Sequence, residues 1–259
     1  MSTKYPIILV HGIMLKEWKK FKAFGKIEKT LVAAGYCVYT AKTDGVGIIQ
    51  TNAEQLKEFV EEVLTREGVE KVNLIAHSKG GLDSRYMIDS LDMGDKIASV
   101  TFLCTPHKGS IIATKLYGLP RPIRGFIAFW MNTWYRLFGD KHPNVLEACR
   151  QLSVSEEGVL AHFDANDRIF MQSYSTVLKK RRDDFVMGIP LHFSWRYEND
   201  LSDGVVSVTS SKFGEYKGHC TEDSISHTEI VDFMVKKKKR AKIYAFYVGL
   251  CEDLAKRGY

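Results

Sequence analysis

Ser78 stands in the run "KVNLIAHSKGG", residues 71 to 81, directly after an apolar stretch and directly before two glycines. A serine in that setting either caps a helix with its hydroxyl or serves as a nucleophile raised on a sharply bent backbone. The residues two positions to either side, Ala76 and Gly80, are small, as a tight passage from strand to helix demands. This is the nucleophile-elbow pattern, with Ala in place of its first Gly. A nucleophilic serine also needs a general base within hydrogen-bond reach, a carboxylate that holds the base in the right tautomer, and two N–H donors for the oxyanion. One donor is implied at once: the backbone N–H of Lys79, which opens the helix after the turn, with a side chain read as solvated there.

The elements around Ser78 alternate. "PIILV" (6 to 10) reads as a strand, the segment 20 to 34 as a helix, "YCVYTA" (36 to 41) as a strand, and 52 to 66 as a helix with Leu56, Phe59, Val60, Val63 and Leu64 at helical spacing. "VNLIA" (72 to 76), a helix over 79 to 91 and "IASVTFL" (97 to 103) continue the rhythm. Strands alternating with helices of this length predict an α/β fold, a mostly parallel central sheet flanked by helices. Ser78 then falls at the carboxyl edge of the sheet, where open α/β proteins bind ligands. Residues 107 to 185 show helical patterns and no convincing buried strand, so they read as a helical lid or cap inserted into a single domain spanning residues 1 to 259. The sheet signal returns at "IPLHFSWRY" (189 to 197) and "YKGH" (216 to 219), and a terminal helix lies within 229 to 257.

Composition narrows the function. With 259 residues and 45% hydrophobic content the chain supports a sizeable core, and disorder is not indicated. The formal charge of +6 owes much to two local runs, "KKRR" at 179 to 182 and "KKKKR" at 236 to 240; these read as solvated faces, and no nucleic-acid partner is expected. The five cysteines are odd in number and lack CxxC spacing, as expected of free thiols in a reducing compartment. No secretory signal and no apolar run of about 20 residues is seen, so a cytoplasmic location is expected, without excluding secretion after removal of a signal. No phosphate-binding glycine loop or dinucleotide fingerprint is present, and no cofactor is expected.

"YPIILVHGI", "AHSKGG", "TPHKGS", "SDGVVSV" and "SHTEIVDF", in that order, together resemble the true-lipase families of bacterial α/β-hydrolases. The AHSxG form is similar to that of the small Bacillus lipases, the other blocks to the Pseudomonas and Burkholderia type. The resemblance implies an α/β-hydrolase fold and a serine esterase or lipase acting on lipid esters. It also implies chain order: serine, then acid, then histidine. His227 in "SISHTEIVDF" then becomes the base, with His219 as the rival, while His11, His77 and His107 take structural places. Asp203, followed by Gly204 and an apolar pair, becomes the acid in preference to Asp200. The second oxyanion donor falls in "HGIMLK", at Ile13 with Met14 as runner-up. Pseudomonas-type relatives carry a calcium near the histidine and a disulfide near the acid. Here Glu229 matches one calcium position, Phe233 departs at the other, and Thr209 stands where a disulfide partner would be, so no metal is expected.

Within the insertion, "PRPIRGFIAFWMNTWYRLFG" forms a helix with a narrow polar stripe of Arg121, Arg124, Ala128, Asn132 and Arg136. The rest of its surface is apolar, including Phe126, Trp130 and Trp134. Such a face is either buried core or a mobile lid that covers the site in water and meets lipid at an interface. Both favour an acyl substrate. A short-chain carboxylesterase, a thioesterase or an acyltransferase would use the same acyl-enzyme, and a catalytically silent fold that binds a ligand or partner is the alternative of another class.

Overall fold

A computed structural model of the chain describes residues 2–13, 22–155, 159–160, 168–184 and 186–259. Its centre is a six-stranded sheet in the order β2-β1-β3-β4-β5-β6, with every neighbouring pair parallel. The strands are β1 (Ile7–Val10), β2 (Val38–Thr40), β3 (Val72–His77), β4 (Ile97–Leu103), β5 (Phe170–Ser175) and β6 (Glu215–His219). The helices among the described residues are α1 (Ile27–Ala33), α2 (Ile49–Glu67), α3 (Lys79–Ser90), α4 (Ile111–Tyr117), α5 (Arg121–Leu137), α6 (Val145–Gln151), α7 (Gly188–Glu198), α8 (Val208–Ser211) and α9 (Lys237–Lys256).

The period of two along each strand sorts the core into two layers. Ile7, Leu9, Ile75 and Leu103 pack on one face against Ile27 and Leu31 of α1 and Ile243, Tyr247 and Leu250 of α9. Ile8, Val10, Leu74, Ala76, Val100 and Phe102 pack on the other against Leu56, Val60 and Val63 of α2 and Met87 of α3. Helices on both faces explain why the central strands place apolar residues on both sides rather than alternating, with only isolated buried polar residues such as Asn73 and Ser99 among them. From β1 the chain goes out to β2 and returns to β3 on the other side of β1. The crevice at that reversal opens between the ends of β1 and β3, which carry His11 and Ser78.

Two sequence expectations are overturned. Residues 107 to 185 do contain a strand, β5, which pairs with both β4 and β6. Its sequence lacks an apolar strand pattern because Gln172, Ser173 and Ser175 are polar yet buried; Gln172 donates to the hydroxyl of Thr101 at 2.9 Å, and the hydroxyls of Ser175 and Tyr216 share a bond at 2.7 Å. The segment 189 to 197, read as a strand from its alternation, is helix α7. Pro190 lacks the N–H that a ladder needs but is tolerated in the first helical turn, and Asn199 closes the helix in the left-handed conformation.

Candidate active site

The turn from β3 to α3 holds Ser78 at φ 54 and ψ −132, a conformation that side chains rarely adopt and that costs roughly 1–3 kcal/mol. Close packing sustains it. A Cβ on Gly80 would lie 2.4 Å from the carbonyl oxygen of His11, and one on Gly12 would lie 2.6 Å from Cβ of Ser78. Both positions must therefore be glycine for the β1 loop to reach the elbow. That approach places Ile13, at the head of the loop, in the wall of the same cavity as Ser78. Met14 lies outside the described residues.

His227 presents Nε2 2.9 Å from Oγ of Ser78 and Nδ1 2.7 Å from Oδ2 of Asp203. Asp203 is itself fixed: its Oδ1 accepts the backbone N–H groups of Val205 and Val206 at 2.9 and 2.8 Å, and its carbonyl accepts the N–H of His227 at 3.0 Å. The three side chains are buried. Such a chain can pass the hydroxyl proton of Ser78 to the imidazole while the carboxylate stabilises the resulting imidazolium.

The other candidates lie elsewhere. His219, at the end of β6, bonds through Nδ1 to the hydroxyl of Ser175. Asp200 accepts the N–H groups of Leu201 and Thr209. His11 bonds through Nδ1 to the carbonyl of Gly12. His107 meets the guanidinium of Arg85 at 3.1 Å and stacks on Phe213. His77 donates from Nε2 to the carbonyl of His227 at 3.0 Å, its ring 4.6 Å from that of His227. Burial pushes the pKa of His77 well below the usual histidine value, so it remains a neutral brace beneath the base.

Lys79 corrects the reading of its side chain as solvated. It is 1% exposed, and its ammonium lies 2.6 Å from Oδ1 of Asp83 one helical turn later. Burial lowers the pKa of Lys79 and raises that of Asp83 to about 6 against the opposing pull of the lysine. Asn52 donates to Asp83 and to the carbonyl of Asp44, while the Asp44 carboxylate takes the N–H groups of Lys141 and His142 just beyond α5. A buried polar network thus ties the elbow helix to the foot of α5. Its legible signal was the i, i+4 spacing of Lys79 and Asp83; Asp44 and Asn52 carried none. Lys79→Met should leave Asp83 buried without its partner and destabilise the fold by about 3 kcal/mol. Thermal denaturation should show a melting temperature lower by roughly 6–12 °C, and an unchanged value would remove the pair from the stability of the elbow.

Among the described residues the donor atoms of Cys104, Asp203 and His227 fall within 4.8 Å of one another, but Asp203 and His227 already bond to each other. Burial holds the Cys104 thiol well above the usual value, and therefore protonated. Glu229, the residue at the calcium position of the resembled lipases, has both carboxylate oxygens on the Lys239 ammonium, at 2.9 and 2.8 Å.

Beside Ser78 opens a cavity of about 260 Å³. Its walls are mainly apolar, with Ile112, Leu116, Met131, Val145 and Leu152 among them. Phe126, Trp130 and Trp134, expected to cover the site, do not line it. They are 66, 57 and 54% exposed. α5 instead turns Ala128, Met131 and Tyr135 inward, and Asn132 accepts the N–H of Val145. Part of the stripe read as polar is therefore the packed face, and the aromatic face meets water.

The sequence matches the profile of the palmitoyl protein thioesterase family over residues 6–152. It is 25% identical over 264 residues to triacylglycerol lipase 2 of Saccharomyces cerevisiae, covering 90% of this chain and 73% of the yeast protein. It is 33% identical over 180 residues to a triacylglycerol lipase of Burkholderia plantarii, covering 60% of this chain and 46% of that relative. The chain thus aligns with about half the length of this bacterial relative. The crystal structure of a metagenomic carboxyl esterase superimposes with a TM-score of 0.74 at 16% identity, covering 99% of this chain and 77% of the esterase. The architecture is that of the α/β-hydrolases.

Proposed function

Because the chain belongs to the palmitoyl protein thioesterase family and is an ester-hydrolysing enzyme, we propose that Ser78, His227 and Asp203 cleave fatty-acyl esters through an acyl-enzyme. The observation that carries this is the unbroken path from Asp203 through His227 to the strained Ser78, opening on an apolar cavity. Ser78 Oγ attacks the ester carbonyl as His227 Nε2 takes its proton. The backbone N–H groups of Ile13 and Lys79 hold the oxyanion, and His227 returns the proton to the departing alcohol. Water, activated by the same imidazole, then releases the acid.

The cavity fits one acyl arm, with the glycerol or other alcohol left toward solvent. Burial of each methylene adds about 0.8 kcal/mol, so kcat/KM across a p-nitrophenyl ester series should rise roughly fourfold per carbon until the cavity is full and then level. A profile that is greatest at acetate and falls from there would overturn the fatty-acyl assignment. The family match supports a second reading, in which the acyl group arrives as a thioester. Comparing the same acyl chain as oxygen ester and thioester decides between them.

The exposed aromatics of α5 support contact with a lipid interface. Burying one large apolar side chain yields roughly 1.5–3 kcal/mol, so Trp130 and Trp134 together strengthen adsorption by about a hundredfold or more. Triglyceride turnover should rise sharply once the substrate forms droplets. The pair Trp130→Ser and Trp134→Ser should flatten the rise while hydrolysis of a soluble short ester stays within twofold. Smooth saturation of the wild type through the solubility limit would refute the interfacial role.

A further inference from the structure

The two basic runs, far apart in sequence, meet in space. Lys179, Lys180, Arg181 and Arg182 follow the strand β5, and Lys236, Lys237 and Lys238 open α9; all are exposed. Arg182 and Lys236 line one hollow of about 230 Å³, and Lys179 and Lys238 both act on the carboxylate of Asp223, which Lys242 pairs at 2.6 Å. The acidic groups nearby are largely engaged. Glu229 is held by Lys239, and Asp184 accepts the N–H groups of Val186 and Met187 and the hydroxyl of Ser226. Among the described residues lining the adjoining hollows, Asp183 and Glu222 remain, fewer than the cations they face.

Apolar side chains stand out among these charges. Met234 is 75% and Val186 50% exposed, and both line the hollow with Arg182 and Lys236. Met234 is held in a left-handed backbone conformation at φ 51, two residues after Asp232 at φ 64, so backbone strain accompanies the exposure of an apolar residue to water. The hollow also shares Met187 and Thr228 with the acyl cavity, and Thr228 follows His227 directly.

We propose that this face, built from Lys179–Arg182, Lys236–Lys238 and the exposed Val186 and Met234, docks the enzyme on a membrane surface rich in anionic lipid headgroups. Cations among protruding aliphatic side chains match such a surface, where headgroup phosphates meet the ammonium and guanidinium groups and the aliphatic tips enter the acyl boundary. A nucleic acid would use the cations but leave the aliphatic tips in water. Docking here brings the shared wall at Met187 and Thr228 to the lipid from which an acyl chain is drawn. In that purpose the inference rests on the fatty-acyl reading, although binding itself is measured without turnover.

The test is co-sedimentation with vesicles of phosphatidylcholine alone and with about 30% phosphatidylglycerol, at low and high salt. The wild type should bind the anionic vesicles at least tenfold more tightly, and about 0.5 M salt should remove the difference. Combined Arg182→Glu, Lys236→Glu, Lys237→Glu and Lys238→Glu should abolish the preference while soluble-ester hydrolysis and melting temperature stay unchanged. Acidic residues at the start of α9 suit its dipole, so the variant should keep its fold. Val186→Ser with Met234→Ser should weaken anionic-vesicle binding about tenfold. Equal binding to both vesicles, retention of the preference by the fourfold variant, or binding to duplex DNA with none to vesicles overturns the proposal. Anionic binding by a wild type that hydrolyses no fatty-acyl ester would instead sink the reading of the active site and leave this surface standing.

Discussion

Ser78→Ala should lower ester turnover by about 10⁶-fold, the scale set when a serine nucleophile is removed from a serine hydrolase. The size follows from the loss of the covalent path: without Oγ there is nothing for His227 to deprotonate and no acyl-enzyme to form. The fold should be untouched. Alanine adopts φ 54 and ψ −132 no less readily than serine, and the tight contacts of the turn involve Cβ and backbone, which alanine keeps. The melting temperature should therefore move by no more than a few degrees. A serine-reactive phosphonate should modify Ser78 alone. Ser110 is the internal control, because it lines the same cavity but donates its hydroxyl to the carbonyl of Val205 rather than to an imidazole. Labelling of Ser110, together with an active alanine variant, would sink the mechanism.

The legible parts of the fold are those where one physical signal dominates. β1, β3 and β4 read clearly because both faces of the sheet are covered, which makes these strands predominantly apolar; the few polar residues they hold, such as Asn73 and Ser99, sit singly between apolar neighbours. α2 reads clearly because Leu56, Val60 and Val63 recur on one side of a helix otherwise in water. β5 did not, because its interior holds Gln172 and Ser173, whose cost of burial is offset by partners on other elements that no local pattern reveals. α7 differs from its pattern for the opposite reason: its apolar residues alternate as in a strand, while Pro190 favours the first turn of a helix. Ser78, His227 and Asp203 were reachable through ordered blocks and chain order, and the structure sets them side by side. Period alone gave no means of choosing His227 over His219 or Asp203 over Asp200.

α5 shows where pattern reading stops. Its sequence marks a wide apolar sector, and apolar sectors usually turn inward, but a helix packs by the shape of the groove it meets. Ala128 is small enough to let α5 approach, Tyr135 fills the space beside Val145, and Asn132 satisfies the first turn of α6. The aromatics are left outside. The same holds for Lys79, whose charge suggests solvent until Asp83, Asn52 and Asp44 are seen around it. Both features depend on partners distant in sequence.

Asp203→Asn should reduce turnover by about 10⁴-fold, as the equivalent change does in a serine protease. The hydrogen bonds at this residue dictate the reason. Two backbone N–H groups, from Val205 and Val206, point at one carboxylate oxygen, so in the variant the amide oxygen must face them and the amide NH₂ must face His227. A donor opposite Nδ1 forces Nδ1 to accept, which leaves the imidazole proton on Nε2. That proton then points at Oγ of Ser78, 2.9 Å away, and the ring can no longer remove the serine proton. Binding of ester should change little, because Asp203 does not line the acyl cavity; the loss should fall on kcat rather than KM. Asp200→Asn should be mild, since Asp200 does not bond His227: its two oxygens each accept one backbone N–H near the surface, and an amide keeps one of these bonds while water can take the other N–H. If Asp200→Asn proves crippling and Asp203→Asn mild, then the carboxylate that orients His227 during turnover is not the one bonded to it here, and the assignment moves three residues upstream.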